Sequence, residues 1–266
     1  MPLTLTAPRT SKRPLVTLDE VERQAVKNLV TKTDDPVDNL FSERQQNLFR
    51  DTLSNSWTPT GPEGRRKFMA CANVGIFENT KTPPLVPDLL VSLDAEPPDD
   101  DDDNRAYYLW ELGAPDVVVE IVSNKKGNEL GGKVRKYAEW GIPYYVVMDP
   151  FGKLGRDLVS VFTLEGGSYQ RTTDWFLHGV GLGLKVWRGF YGGKTSTYLR
   201  WCDERGELLG TGEENTAAES SRRKAEAELR RHEAARADSE AARANSEAAR
   251  ADRLAAKLRQ LGIDPT

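Results

Sequence analysis

With 37 Lys and Arg against 41 Asp and Glu, the 266-residue chain has a net charge of −4 and no global basic field of the kind that coats nucleic acid. Its hydrophobic share of 38% is low for a wholly globular chain, and the deficit is local: from Glu213 onward nearly every residue is Ala, Arg, Glu, Ser or Asp. No apolar run approaches the ~18 residues of a membrane span, and the first residues hold no apolar signal core, so the sequence predicts a soluble, cytoplasmic protein with no membrane partner.

Residues 1–15 read as a disordered lead, and residues 16–205 as one α/β domain. A first helix is predicted from Thr17, as N-cap with Glu20 at the capping-box position, towards Val30. A second is signalled by Ser42 as its cap, with Phe41 just before it and Leu48, Leu53 and Trp57 along one face. Phe68 to Phe77 then reads as a strand, and Leu85 to Leu93 as another. The five aspartates Asp99 to Asp103 lack the alternating ligands, central Gly and terminal Glu of a calcium loop, and read as solvated surface.

Asp116 to Val122 is an apolar strand ended by Ser123-Asn124. A helix follows from about Glu129 to Trp140, closed by Gly141 and Pro143. Tyr144 to Met148 is a strand ended by Asp149-Pro150, and Asp149 and Asp116 both read as structural. Val159 to Leu164, Tyr169 to Thr172 and Gly183 to Trp187 add antiparallel strands. Helices first, then strands with one crossover helix, give a mixed sheet flanked by helices. Cys71 and Cys202 stand far apart without a CxxC partner and read as buried thiols.

The tail, residues 213–261, is read as a long helix. It is electrically neutral, with 11 Lys and Arg against 11 Asp and Glu from Glu213 to Thr266, so the body carries the whole −4. Its heptads place Ala234, Ala241, Ala248 and Ala255 at one core position, and Ala237, Ala244, Ala251 and Leu258 at the other. Alanine knobs bury little, so a coiled coil and a solvated single helix are both compatible with the pattern.

Two acidic residues carry the chemical signal. Glu120 stands among β-branched residues in Val117-Val118-Val119-Glu120-Ile121-Val122, and Asp88 in Val86-Pro87-Asp88-Leu89-Leu90-Val91. An unpaired buried carboxylate costs several kcal/mol, so such groups pair, protonate or bind metal. Two from neighbouring strands make a hard oxygen site suited to Mg²⁺ or Mn²⁺. Lys133 opens the following helix, with Tyr137 one turn on, and can polarise a metal-bound water and stabilise a phosphorane-like transition state. Taken singly, each has an ordinary structural reading; the combination carries the inference.

Pro87-Asp88, Glu120, Lys133-x-x-x-Tyr137-Ala138, Gly141-Ile142-Pro143-Tyr144-Tyr145 and Asp149-Pro150 resemble the core of the Uma2 family, from about Asp38 to Trp201. The resemblance implies a PD-(D/E)XK, restriction-endonuclease-like fold and Mg²⁺-dependent endonuclease cleavage of nucleic acid, DNA before RNA. It implies Asp88, Glu120 and Lys133 as the active triad, with Asp88 and Glu120 on the metal. The usual lysine two residues after the acidic residue is replaced by Val122, which passes its role to Lys133. The histidine of an early Ser-x-x-His helix is replaced by Gln45, a residue that can still position a phosphate or water. Glu43, Gln46, Ser123 and Tyr137 are accessory candidates.

Two rival readings compete with the enzyme. One is a nucleic-acid-binding or regulatory module that keeps the fold without cleaving; the other is an assembly protein whose business is the C-terminal helix. A homodimer through the nuclease domain or that helix is compatible with each.

Overall fold

The computed structural model describes residues 19–27, 39–96, 106–123, 131–155 and 157–261. The chain divides into two compact units, Met1–Gly212 and Glu213–Thr266. In the first unit helices α1 (Glu20–Lys27) and α2 (Leu40–Ser56) precede strands β1 (Thr60–Gly61), β2 (Gly64–Arg65), β3 (Phe68–Cys71), β4 (Ile76–Phe77), β5 (Leu89–Leu93) and β6 (Tyr107–Tyr108). Helix α3 (Leu109–Leu112), strand β7 (Val117–Ile121), helix α4 (Gly132–Glu139) and strand β8 (Tyr144–Met148) follow. Strands β9 (Val159–Glu165), β10 (Ser168–Thr172), β11 (Phe176–Leu177), β12 (Leu182–Tyr191) and β13 (Lys194–Cys202) complete the body, and the second unit holds helix α5 (Gly212–Gln260). The readings made for residues 1–15 and for Asp99 to Asp103 fall outside the described residues.

The central sheet has six strands in the order β10-β9-β8-β7-β5-β3. Every pairing in it is antiparallel except β7 with β8. Parallel neighbours need a long crossover, and α4 lies within it. Period-two alternation divides the strands between two cores. Leu89, Val91, Val117, Val119 and Val146 face α2 and the three-stranded sheet β11-β12-β13, against Phe49, Leu53, Leu184, Leu199 and Trp201. Leu90, Val118, Tyr145 and Val147 face the other way, against Tyr137 and Trp140 of α4. The arrangement is a mixed α/β sheet with helices on both faces.

Several expected boundaries move. Asp19 and Glu22 form a reciprocal box at the start of α1, Asp19 Oδ1 accepting from Glu22 N–H at 2.8 Å and Glu22 Oε2 from Asp19 N–H at 3.0 Å, while the Thr17 cap and the Val30 end expected for this helix lie outside the described residues. Asn39, not Ser42, caps α2, accepting from the N–H groups of Phe41 and Ser42; Ser42 is buried inside the first turn. The single strand expected from Phe68 to Phe77 is broken, because Asn73 takes φ +53°, a left-handed conformation that Asn tolerates better than most residues. The strand expected from Leu85 begins only at Leu89: Pro87 has no N–H to donate, and Leu85 bridges to Ile76 instead. Gly183 to Trp187 proves to be part of a ten-residue strand. Gly189 lets it continue, since a Cβ there would lie 1.9 Å from the Trp187 ring.

Gln45 has a structural duty. β13 is an end strand of its sheet, and the Gln45 side-chain amide pairs with it as a neighbouring peptide would. Its Nε2 donates to Leu199 O at 2.7 Å, and its Oε1 accepts from Leu199 N–H at 2.9 Å. Gln45→Leu is expected to leave both groups unsatisfied in the core, at about 1–3 kcal/mol each. Urea unfolding should show that loss; a wild-type midpoint would refute the clasp.

Helix α5 runs for 49 residues without a buried residue. Arg222 pairs with Glu226 at 3.0 Å and Arg223 with Glu219 at 2.5 Å, the spacing that supports a solvated helix. No helix among the described residues is long and apolar enough to cross a membrane.

Candidate active site

Asp88 directly precedes β5, and Glu120 is the penultimate residue of β7. The pairing Leu89↔Val119 puts these two residues opposite one another at the next step of the ladder. Opposed residues share a sheet face with Cβ atoms about 4.5–5.5 Å apart. Alternation fixes that face as the α4 side, since Leu90 and Val118 point there. Asp88 is 7% exposed and Glu120 2%. Asp88 Oδ2 accepts from Ile121 N–H at 2.6 Å, and Oδ1 from Gln46 Nε2 at 2.7 Å. The first bond ties one strand's carboxylate to the other strand's backbone, so the two acidic residues cannot separate without breaking the sheet edge.

Helix α4 supplies the donors for Glu120. Residues four apart lie on one helical face, and Lys133 and Tyr137 both reach down to the sheet. Lys133 Nζ donates to Glu120 Oε2 at 2.8 Å, and Tyr137 OH to Oε1 at 2.7 Å. Burial, then the neighbouring Glu120 charge, push the Tyr137 phenol well above its usual range, so it remains a donor. The Lys133 side chain keeps 21% of its surface exposed, so the cluster reaches solvent along this side chain. Val122 shares the face of Glu120 and is sealed in the core. A lysine there would be buried; the helix brings one in from above instead.

Lys136 goes elsewhere. Its ammonium lies 2.7 Å from Glu78 and 3.2 Å from Glu139, and 5.8 Å from the centre of the Trp140 ring. The hydrogen bond to Glu78, ahead of the other contacts, raises its pKa.

The accessory candidates separate. Gln46 joins the cluster through Asp88. Its neighbour in sequence, Gln45, is turned away into the β13 clasp, so the one-residue step along α2 decides which glutamine meets the acidic pair. Glu43 is exposed and accepts from Asn47 Nδ2 at 2.6 Å; no bond ties it to the cluster among the described residues. Ser123 contributes its carbonyl oxygen, which accepts from Lys153 Nζ. Asp116 Oδ2 accepts from Leu93 N–H at 2.7 Å, and the Asp149 carboxylate accepts from Lys153 N–H and Leu154 N–H, both structural arrangements as expected.

One residue escaped the sequence reading. Asn73 Nδ2 donates to Gln46 Oε1 at 3.0 Å, and Asn73 Oδ1 accepts from Gln46 Nε2 at 3.3 Å. The pair fixes which end of the Gln46 amide meets Asp88. The signal that would have found it is Asn-Val-Gly: Asn two residues before Gly marks a bend inside what looked like a strand. Gln46→Ala and Tyr137→Phe each remove a donor to a buried carboxylate oxygen. Each is expected to cost about 1–3 kcal/mol in urea unfolding. A loss below about 0.5 kcal/mol in both would show that these bonds do not organise the pair.

The family model of Uma2, described as "Putative restriction endonuclease", matches residues 35–180, more than half of the chain. Gln46, Asn73, Asp88, Glu120, Lys133 and Tyr137 all fall within that span. Among curated proteins the search finds no match.

Proposed function

Because the chain belongs to the Uma2 family, we propose that its body is a metal-dependent endonuclease of the PD-(D/E)XK type that hydrolyses phosphodiester bonds in DNA. The observation that carries the proposal is the convergence of Asp88, Glu120 and Lys133, from β5, β7 and α4, on one solvent-reaching cluster. The family accounts for the reaction class, and the charges account for where it would occur.

The donor set fits a small hard cation. Among the described residues no group of three or more His, Cys, Asp or Glu is placed to hold a metal, so a closed all-protein cage is out of reach there. Mg²⁺ and Mn²⁺ accept one or two carboxylates and complete their shells with water and substrate phosphate. Asp88 and Glu120 would hold that ion, which when bound supplies a Lewis acid and a water of lowered pKa. Gln46 and the Ile121 N–H orient Asp88, and Tyr137 orients Glu120. An ammonium carries three N–H donors; Glu120 takes one of those on Lys133, and the others can meet the oxygens of a phosphate as negative charge builds there.

The test is incubation of the purified chain with plasmid, linear DNA and RNA in Mg²⁺, Mn²⁺ or EDTA. Nicking or linearisation of DNA that EDTA abolishes is the expected result. Absence of metal-dependent cleavage on every substrate would overturn the enzyme reading in favour of a non-cleaving nucleic-acid module.

A further inference from the structure

The turn after β8 stands at the same end of the sheet as Glu120. β7 and β8 are parallel with Glu120 beside Val147, and Val122 N–H donates to Met148 O at 2.8 Å. The turn itself is built around the buried Asp149 carboxylate, which accepts from Lys153 N–H at 2.9 Å and Leu154 N–H at 2.6 Å. Gly152 within it takes φ +63°. Such internal closure makes the turn a fixed platform.

Two side chains on that platform serve no part of the core. Phe151 is 54% exposed, a large apolar ring left in water. One edge is backed by Phe41, at 5.6 Å and 68°, and Phe41 in turn stacks on Tyr198 at 5.7 Å. Over the ring lies Lys153 Nζ, 5.5 Å from its centre, which also donates to Ser123 O. Ser123 takes one of three donors on that ammonium. Ser123 lies three residues beyond Glu120, about 10 Å along an extended strand.

A half-exposed aromatic ring paired with a cation is the combination that holds an unpaired base and its phosphate. We propose that Phe151 and Lys153 form a substrate subsite, Phe151 stacking on an unpaired base and Lys153 gripping a phosphate a few nucleotides from the cleaved bond. The subsite makes single-stranded or locally unpaired nucleic acid the preferred substrate, because a base inside a duplex is stacked on both faces and cannot lie on the ring. This rests on the nuclease reading of the acidic cluster.

Binding of the full chain to labelled oligothymidine and to a blunt DNA duplex, followed by fluorescence anisotropy in EDTA, tests it. Phe151→Ala is expected to weaken single-strand binding by about 10-fold or more and to leave duplex binding nearly unchanged. Phe151→Trp, which keeps an aromatic face, should retain wild-type affinity. Lys153→Gln should flatten the log–log salt dependence of single-strand binding by about 0.7, the share of one phosphate contact. Equal single-strand affinity in wild type and Phe151→Ala would overturn the subsite while leaving metal-dependent cleavage standing. Equal weakening on single strand and duplex would overturn the preference for unpaired bases, and a wild type that binds neither nucleic acid would overturn the subsite and the nuclease reading together.

Discussion

Under the proposed mechanism, Lys133→Ala is expected to lower metal-dependent cleavage by about 10²–10³-fold, the usual effect of removing one preorganised donor from a developing oxyanion. The same substitution takes a partner from Glu120, a carboxylate only 2% exposed. Stripping one member from a sealed ion pair costs about 3–5 kcal/mol. Here the cost is smaller, about 1–3 kcal/mol, because the Lys133 side chain is one-fifth exposed and Tyr137 still donates to the other oxygen. The two effects separate experimentally. Steady-state kinetics at a temperature where urea curves show the variant fully folded isolates the catalytic part. Lys136→Ala is the control: its partners are Glu78 and Glu139, and its loss should leave cleavage at the wild-type rate. Full activity in Lys133→Ala would remove the lysine from the mechanism.

Asp88→Asn is expected to reduce cleavage further, by about 10³-fold or more, since it would delete a charge from the proposed two-carboxylate site, whose cation would be worth several kcal/mol to the transition state. It should do so with little loss of fold. The new amide can accept from Ile121 N–H through its oxygen and donate through its nitrogen to Gln46, provided that the Gln46 and Asn73 amides both turn over. Their mutual pair of bonds survives that double flip, because each is a donor and an acceptor. Asp88→Ala has no such escape, and takes the side-chain oxygens that accept from the Ile121 N–H and from the Gln46 amide. The expected order of urea midpoints is therefore wild type, then Asp88→Asn, then Asp88→Ala, with neither variant cleaving. Wild-type cleavage by Asp88→Asn would sink the two-carboxylate site.

The acidic pair was legible in the sequence because it breaks a rule: charged residues rarely sit among β-branched apolar ones without a purpose. Strand alternation then predicts their shared face. Lys133 and Tyr137 were legible by helical spacing. Gln45 and Gln46 were not separable, since which of two adjacent glutamines meets the sheet depends on a helical phase set by how Leu48, Phe49 and Leu53 pack. Asn73 was hidden by a backbone conformation that hydropathy does not report. The strand expected from Gly183 to Trp187 was too short because hydropathy does not report how Trp187 folds over Gly189, which keeps the pairing with β13 going to Tyr191.

The clasp between α2 and β13 also sets a timetable for making the molecule. Gln45 and Leu199 stand 154 residues apart, as do Ser56 and Gly210, whose carbonyl accepts from the Ser56 hydroxyl at 2.7 Å. At a synthesis rate of about 5–20 residues per second, roughly 8–30 seconds pass between the two halves of each contact. Throughout that interval Phe49 and Leu53 lack Leu199 and Trp201, the residues that finally cover them. The body is thus completed from its two ends, late and all at once, and the growing chain carries a sticky helix for most of its time on the ribosome.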